Sequence, residues 1–314
     1  MKFAFIVDPL DTLKIYKDSS YAMMVEADAR GHELYVLRQQ DIAWKRNSVI
    51  GVARQITLRR DPANWYSLDP AAEMPLNGFD GVVMRKDPPF DLEYVTSTWL
   101  LELAVAQGAR VFNDPRAIRD HNEKLAIAGY PQFIAPTLVS RLPGQIDAFI
   151  DEHRDVIVKP LGGMGGMGVF RIAENDPNRN VIIETLTEFG TRTIMAQRYI
   201  PEIAQGDKRV LLIAGKPVPY CLARIPREGE SRGNLAAGGT GVCRPLTGRD
   251  REIAETLGPE LARRGLMLVG LDIIGEHLTE INVTSPTCFR EITDQSGVNV
   301  AGLFIDALES ASRR

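Results

Sequence analysis

The chain has 314 residues, 44% of them hydrophobic and 25% charged, with a formal net charge of −4. A chain of this length can bury a large core and suggests two or three compact units, and its charge gives no electrostatic reason to expect nucleic acid or an anionic membrane as partner. Three cysteines, Cys221, Cys243 and Cys288, stand far apart without a C-x-x-C spacing, which argues against a disulfide framework and a zinc ribbon. The apolar run from Phe3 to Val7 stops at Asp8-Pro9, too soon for a signal peptide, and no stretch approaches a membrane span. The cytoplasm is the expected compartment.

Phe3 to Val7 reads as a buried parallel strand, followed by a polar loop to Asp18 and a helix capped by Ser19 or Ser20 and closed at Gly31. Glu33 to Leu37 is a second strand. The segment 41–77 carries no clear period, and no element is assigned to it. Asp80 to Arg85 forms a third strand ending at Lys86-Asp87-Pro88-Pro89, Asp91 to Gln107 a helix closed by Gly108, and Arg110 to Asn113 a fourth strand. Strands alternating with helices imply an open α/β sheet over roughly the first 120 residues. The loop after the first strand holds no glycine, so a Rossmann dinucleotide fingerprint is absent. At the carboxyl ends of these strands Arg85 can grip a carboxylate, with Asp18 and Ser19 near it; a solvated loop with a helix cap is the alternative.

A second unit begins near Asp120, with Lys124 on a short helix capped by Asp120 or Asn122. Strand Asp155 to Pro160 ends at Lys159 and is followed by Gly162-Gly163-Met164-Gly165-Gly166-Met167-Gly168 and a strand from Val169 to Ile172. Such glycines permit the positive φ angles that aim successive N–H groups at an anion, so a phosphate cradle is one reading and a flexible hairpin loop the other. Thr193 to Pro201 is a strand able to present its backbone to an adenine edge, or plain core. Val210 to Ala214 pairs with Val218 to Arg224 across Gly215-Lys216-Pro217, bracketed by Arg209 and Arg224. The polar stretch Ile225 to Thr240, holding Arg227 and Arg232, is too long for a turn and reads as a lid.

A helix from Asp250 to Arg264 leads into a hairpin whose second strand alternates Leu278, Glu280, Asn282 against Thr279, Ile281, Val283. If its loop is Gly275 to His277, the register sets Asp272 opposite Glu280, and with Asn282 three oxygen-bearing side chains converge on one patch suited to Mg²⁺. The turn Thr284-Ser285-Pro286-Thr287 follows, whose hydroxyls and backbone can hold a carboxylate. A packing helix over about 298–311 ends the chain.

Five stretches are more specific than any nucleotide motif: Met84-Arg85-Lys86-Asp87-Pro88-Pro89-Phe90, Gly206-Asp207-Lys208-Arg209-Val210, Leu222-Ala223-Arg224-Ile225-Pro226, Arg232-Gly233-Asn234-Leu235-Ala236-Ala237-Gly238-Gly239 and Glu280-Ile281-Asn282-Val283-Thr284-Ser285-Pro286. By them the chain resembles the bacterial glutathione synthetases of the ATP-grasp superfamily over essentially its full length. The resemblance implies an ATP-grasp fold behind an N-terminal open α/β, Rossmann-like domain: 1–122 substrate-binding, 123–200 nucleotide-covering, 201–314 metal- and substrate-binding. It implies ligation of γ-glutamylcysteine and glycine through an acyl phosphate, with ATP as co-substrate, Mg²⁺ (or Mn²⁺) as cofactor and a homotetramer as the assembly. By the same resemblance Asp272, Glu280 and Asn282 hold metal. Lys124, Lys159, Gly162, Gly163, Gly165, Gly166, Gln197, Arg198, Tyr199, Ile200 and Asp207 bind ATP. Asp18, Ser19, Arg85, Arg209, Arg224, Asn282, Thr284 and Ser285 hold the peptide substrate, while Lys159, Arg209, Arg224 and Arg232 serve catalysis. Two departures stand in the glycine loop: Gly163 where an Asp is expected, and Met167 in place of a smaller residue. The alternatives are another ATP-grasp carboxylate–amine ligase or a non-catalytic ATP-binding module.

Overall fold

The computed structural model describes residues 1–230, 233, 235 and 238–313. Three sheets follow one another along the chain. The first holds β1 (Lys2–Ile6), β2 (Glu33–Leu37), β3 (Ile42–Lys45), β4 (Ser48–Leu58), β5 (Tyr66–Leu68), β6 (Ala72–Pro75), β7 (Gly81–Met84) and β8 (Val111–Phe112). Its main path runs β3-β4-β2-β1-β7-β8, with β5 and β6 paired to β4. The β1–β2, β1–β7 and β7–β8 pairs are parallel, as the continuous apolar runs require, and helices α1 (Ser19–Ala29), α2 (Leu92–Ala106) and α3 (Pro115–Arg119) connect or flank them. Segment 41–77 is an antiparallel extension of this sheet, folded around the long strand β4.

The second sheet, β11-β10-β12-β9, comprises β9 (Thr137–Ser140), β10 (Asp155–Pro160), β11 (Phe170–Ala173) and β12 (Ile194–Arg198). Helices α4 (Pro143–His153) and α5 (Arg179–Thr187) cover it and share a small core of Ile146, Ile150, Val156, Val158, Ile172 and Ile183. The third sheet is antiparallel, order β15-β14-β13-β16-β17, from β13 (Asp207–Ile213), β14 (Lys216–Ile225), β15 (Thr240–Pro245), β16 (Leu268–Ile274) and β17 (His277–Asn282). Helix α6 (Gly248–Arg263) packs on this sheet. A Thr247–Asp250 capping box starts it, and the buried Asp250 carboxylate takes the Lys208 ammonium of β13.

The last two helices, α7 (Phe289–Ser296) and α8 (Val300–Ser312), return to the first sheet. Phe289, Val300, Phe304 and Ile305 share one apolar cluster with Phe3, Phe5 and Met23 of the first unit and with Leu211 and Ile213 of β13. Arg30 pairs with Asp306 at 2.7 Å, and His32 meets Glu309 at 2.8 Å. The chain end therefore ties the first and third sheets together. Asp18 caps α1, its carboxylate accepting the Tyr21 N–H at 2.7 Å, so the expected Ser19 or Ser20 cap is replaced by the residue before it.

Helix α6 lies against the hairpin joining β13 and β14 with no room to spare. A Cβ at Gly258 would stand 2.1 Å from the Gly215 carbonyl oxygen. Gly258→Ala is therefore expected to lower unfolding stability by about 2 kcal/mol or more, read from urea denaturation. An unchanged midpoint would show that the hairpin yields freely.

Candidate functional site

Antiparallel register assembles the site on one face of the third sheet. Asp272 of β16 stands opposite Arg209 of β13 on one side and Glu280 of β17 on the other, while Asp207 stands opposite Arg224 of β14. Gly270 lies two residues before Asp272 on the same face, and a Cβ there would meet Arg209 Cδ at 2.9 Å. The bare backbone at that position lets the Arg209 side chain fold down onto Asp272.

Asp272 opposes Glu280 as the sequence implies, by another route. The turn holds two residues, because His277 pairs with Ile274 and Leu278 with Ile273; the register then slips at Thr279, and Glu280 meets Asp272. This bulge turns Leu278 into the core with Ile281 and Val283, all fully buried, so Leu278 does not share a face with Glu280 as strict alternation predicts. The bulged Thr279 is also held in place. Its hydroxyl donates to the Asp272 carbonyl at 3.1 Å, and its own carbonyl accepts from Lys159 Nζ at 3.3 Å.

The charges at the site neutralise one another. Arg209 grips Asp272 with two bonds of 2.6 and 3.1 Å, and Arg224 reaches the same carboxylate at 3.0 Å while also bonding Asp207. Burial alone would raise the Asp272 carboxyl, but the two guanidiniums hold it well below the usual carboxylate range. Burial pushes the Asp207 carboxyl up against the pull of Arg224, and its Oδ1 is buried without a hydrogen-bond partner. Glu280 lies between Lys124 at 3.7 Å and Lys159 at 3.6 Å. Burial lowers the Lys159 ammonium below the usual lysine range, with Glu280 opposing that shift. Lys124 also donates to the Gly163 carbonyl, which fastens the glycine loop to this cluster.

Two clefts meet here. One, of about 840 Å³, lies between the second and third sheets and is lined by Lys124, Lys159, Gly163, Gly165, Gly166, Gln197, Arg198, Tyr199, Ile200 and Asp207 together with Asp272 and Glu280. Gly162 is not in its wall. Gly165, Gly166 and Gly168 have positive φ, the condition for a nest of N–H groups. The second cleft, of about 1,820 Å³, opens toward the first sheet and is lined by Asp18, Arg209, Arg224, Asp272, Glu280, Asn282, Thr284 and Ser285. Arg85 and Ser19 stand behind its wall: Arg85 bonds Ser20 Oγ and the Pro286 carbonyl at 3.0 and 2.9 Å, and Ser19 Oγ accepts the Phe289 N–H at 3.3 Å. Arg232 lies outside the described residues; within its segment Arg227 donates to the Gly238 carbonyl at 2.8 Å.

The turn after β17 already has partners for its hydroxyls. Ser285 Oγ donates to Asp87, and the Thr284 hydroxyl to Glu123. Glu123, Lys14, Lys17, Lys86 and Glu291 line the second cleft as well. Glu123, Lys14, Lys17 and Lys86 lie in loops, where no period singles out a residue, and Glu291 lies on α7 beside the buried Phe289 and Ile292.

No group of three His, Cys, Asp or Glu side chains able to hold a metal occurs among the described residues. The set present is two opposed carboxylates and one amide, with Asn282 Nδ2 donating to the Gly270 carbonyl at 3.1 Å. That donor set is all hard oxygen and incomplete by itself. It fits a cation such as Mg²⁺, which completes its shell with phosphate oxygens and water.

Two family models match the chain. A model for the prokaryotic glutathione synthetase N-terminal domain matches residues 1–119, and one for the prokaryotic glutathione synthetase ATP-grasp domain matches residues 123–297. A glutathione synthetase of Nitrosomonas europaea is 66% identical over 98% of each chain, and one of Ralstonia nicotianae is 60% identical over 99% of this chain and 96% of its own. Among solved structures, the D-cycloserine synthetase DcsG superposes with a TM-score of 0.66 at 17% identity, covering 100% of this chain and 99% of its own. The ATP-grasp ligase PsnB with a minimal precursor gives 0.64 at 19% identity over 98% of each. These structures share the ATP-grasp fold with this chain.

Asp272 is the shared counterion of two buried arginines, so Asp272→Asn should destabilise the protein by about 3 kcal/mol at neutral pH. Because its folded-state pKa is depressed, this stabilisation is full above the unfolded value of about 3.9 and is lost as pH falls through the folded one. Equal denaturation midpoints for the variant and the parent at pH 7 would contradict the pairing.

Proposed function

This chain belongs to the prokaryotic glutathione synthetase family, and from that membership we propose that it joins γ-L-glutamyl-L-cysteine to glycine with cleavage of ATP to ADP and phosphate. The observation that carries the reading on the chain's own residues is the opposition of Asp272 and Glu280, flanked by two arginines and two lysines, where the cleft under the glycine loop meets a second cleft.

A carboxylate is a poor acceptor for an amine. In the proposed reaction the cysteinyl carboxylate oxygen bonds to the γ-phosphorus of ATP, and the bond to the β-phosphate oxygen breaks to release ADP. The glycine nitrogen, having lost a proton, then attacks the carbonyl carbon of the acyl phosphate, and phosphate leaves with the C–O bond electrons. Both steps join or separate anions, so catalysis is mainly positioning and charge neutralisation. Lys124 and Lys159 supply fixed positive charge for phosphate oxygens at the cleft floor. The glycine loop and the strand from Gln197 to Ile200 enclose the nucleotide, with Asp207 at its edge. Asp18, Asn282, Thr284 and Ser285 line the peptide side, supported from behind by Arg85 and Ser19. Arg209 and Arg224 are the cations for the reacting carboxylate and the acyl phosphate, with Arg232 assigned to the same intermediate. Mg²⁺, or Mn²⁺, held by Asp272, Glu280 and Asn282, would neutralise the phosphate oxygens.

The proposed units are 1–122 for substrate, 123–200 for covering the nucleotide and 201–314 for metal and substrate. No helix among the described residues is long and apolar enough to cross a membrane, and three unpaired thiols suit the reducing cytoplasm to which the chain is assigned. A homotetramer is the proposed assembly.

Coupled measurement of ADP release tests the reading. With γ-glutamylcysteine, glycine and Mg²⁺, ADP and the tripeptide should appear in equal amounts; release only with a different acid and amine would defeat the assignment. Glu280→Gln is expected to reduce kcat by about 100-fold or more without loss of the folded circular dichroism spectrum. Turnover near that of the parent protein at limiting Mg²⁺ would remove Glu280 from the metal site.

A further inference from the structure

We infer that Glu123, which has no role in the site as assigned above, is a positioning residue for the peptide substrate, fixing the turn that follows β17. The inference rests on the proposed ligase reading for its kinetic test and on geometry alone for its structural one.

One oxygen of the Glu123 carboxylate takes three donors from two consecutive residues. Oε1 accepts the Val283 N–H at 2.8 Å, the Thr284 N–H at 3.0 Å and the Thr284 hydroxyl at 2.9 Å. The Glu123 backbone carbonyl accepts the Ile281 N–H at 2.8 Å, so the residue continues the hydrogen bonding of β17 on the edge where, among the described residues, no further strand pairs with it. Its own segment is anchored. Asn122 Oδ1 caps the Lys124 and Leu125 amides at 3.1 and 2.9 Å, and Asn122 Nδ2 reaches the Leu161 carbonyl at 3.3 Å, just before the glycine loop.

This arrangement changes what the turn offers a ligand. Its two leading amides and the Thr284 hydroxyl are spent on Glu123, and the Ser285 hydroxyl on Asp87. The donors that would have been free to bind a substrate carboxylate instead lock the turn's shape. Three charge-assisted bonds to one acceptor leave the half-buried turn little freedom, and without that acceptor two backbone amides and a hydroxyl must find other partners. The turn would then drift relative to Asn282 and Arg209, which share the cleft with it. Substrate held there should lose affinity, while the nucleotide pocket, whose wall does not include Glu123, should be spared.

The test compares Glu123→Ala and Glu123→Gln. Ala removes the acceptor; Gln keeps a carbonyl oxygen at the same reach and discards only the charge. Expected for E123A is a rise of about 10-fold in KM for γ-glutamylcysteine, with kcat and KM for ATP within about 3-fold of the parent, and for E123Q a recovery of most of that affinity. Unchanged KM in E123A would overturn the inference, as would equal losses of kcat in both variants at constant KM, which would place the carboxylate in the chemistry itself. Should E123A fail to fold, Glu123→Asp, whose oxygen is withdrawn by one methylene with the charge retained, is expected to show the same KM defect; normal KM there would overturn the claim. Amide hydrogen exchange needs no turnover and separates this inference from the ligase reading. Exchange at Val283 and Thr284 should accelerate at least about 10-fold in E123A while Val210 and Leu271 in the β13–β16 ladder keep their protection, and unchanged exchange at 283–284 would refute the anchoring role.

Discussion

A buried and a partly buried carboxylate, shared among four buried cations, set the rest of this structure. Asp272 sits between Arg209 and Arg224, and Glu280 between Lys124 and Lys159. None of these charges could be buried alone, because desolvation of a single ion costs several kcal/mol or more. Each belongs to a different element, so mutual neutralisation requires that the strands of the third sheet, β10 of the second and the Asn122–Lys124 segment all be in register at once. The bulge at Thr279 is the local consequence. It lets Leu278 enter the core and still returns Glu280 to the face of Asp272.

The same cluster suits a ligase for anions. The site's acids satisfy its bases, and in the proposed reaction a nucleotide with its cation would offer both a better exchange: phosphate oxygens for the lysines and arginines, a cation for the carboxylates. Such an exchange keeps the buried charge balanced as ligands enter.

Much of the chain was legible wherever burial wrote a period into it. The parallel strands β1 and β7, the helix α2 and the hairpin β16–β17 follow from apolar runs and alternation, and the pairing of Arg209 and Arg224 strands from the turn at Gly215. The Asp272–Glu280 opposition was reached by assuming a three-residue loop, and it holds because a two-residue turn and a one-residue bulge sum to the same register. Segment 41–77 is not legible, because apolar residues such as Ile50, Val52 and Leu58 stand on the less buried side of β4 and its partners are short, so burial there leaves no alternation in the sequence. The docking of α8 onto the first sheet was hidden for another reason: its contacts join residues about 300 apart, such as Phe3 and Phe304, and no local pattern records such a meeting. Arg85 shows the limit at the site. Its residue type suggested a carboxylate clamp, but only the fold shows that it faces Ser20 and the Pro286 carbonyl rather than the open cleft.

In the proposed reaction Asp272 changes partners when the site fills. A crystal structure with Mg²⁺, a non-hydrolysable ATP analogue and γ-glutamylcysteine measures it most directly. A cation should stand about 2.1 Å from an oxygen of Asp272, with at least one of Arg209 and Arg224 moved onto a ligand anion. A complex in which Asp272 keeps both guanidiniums and the cation is held without it would rule out that exchange.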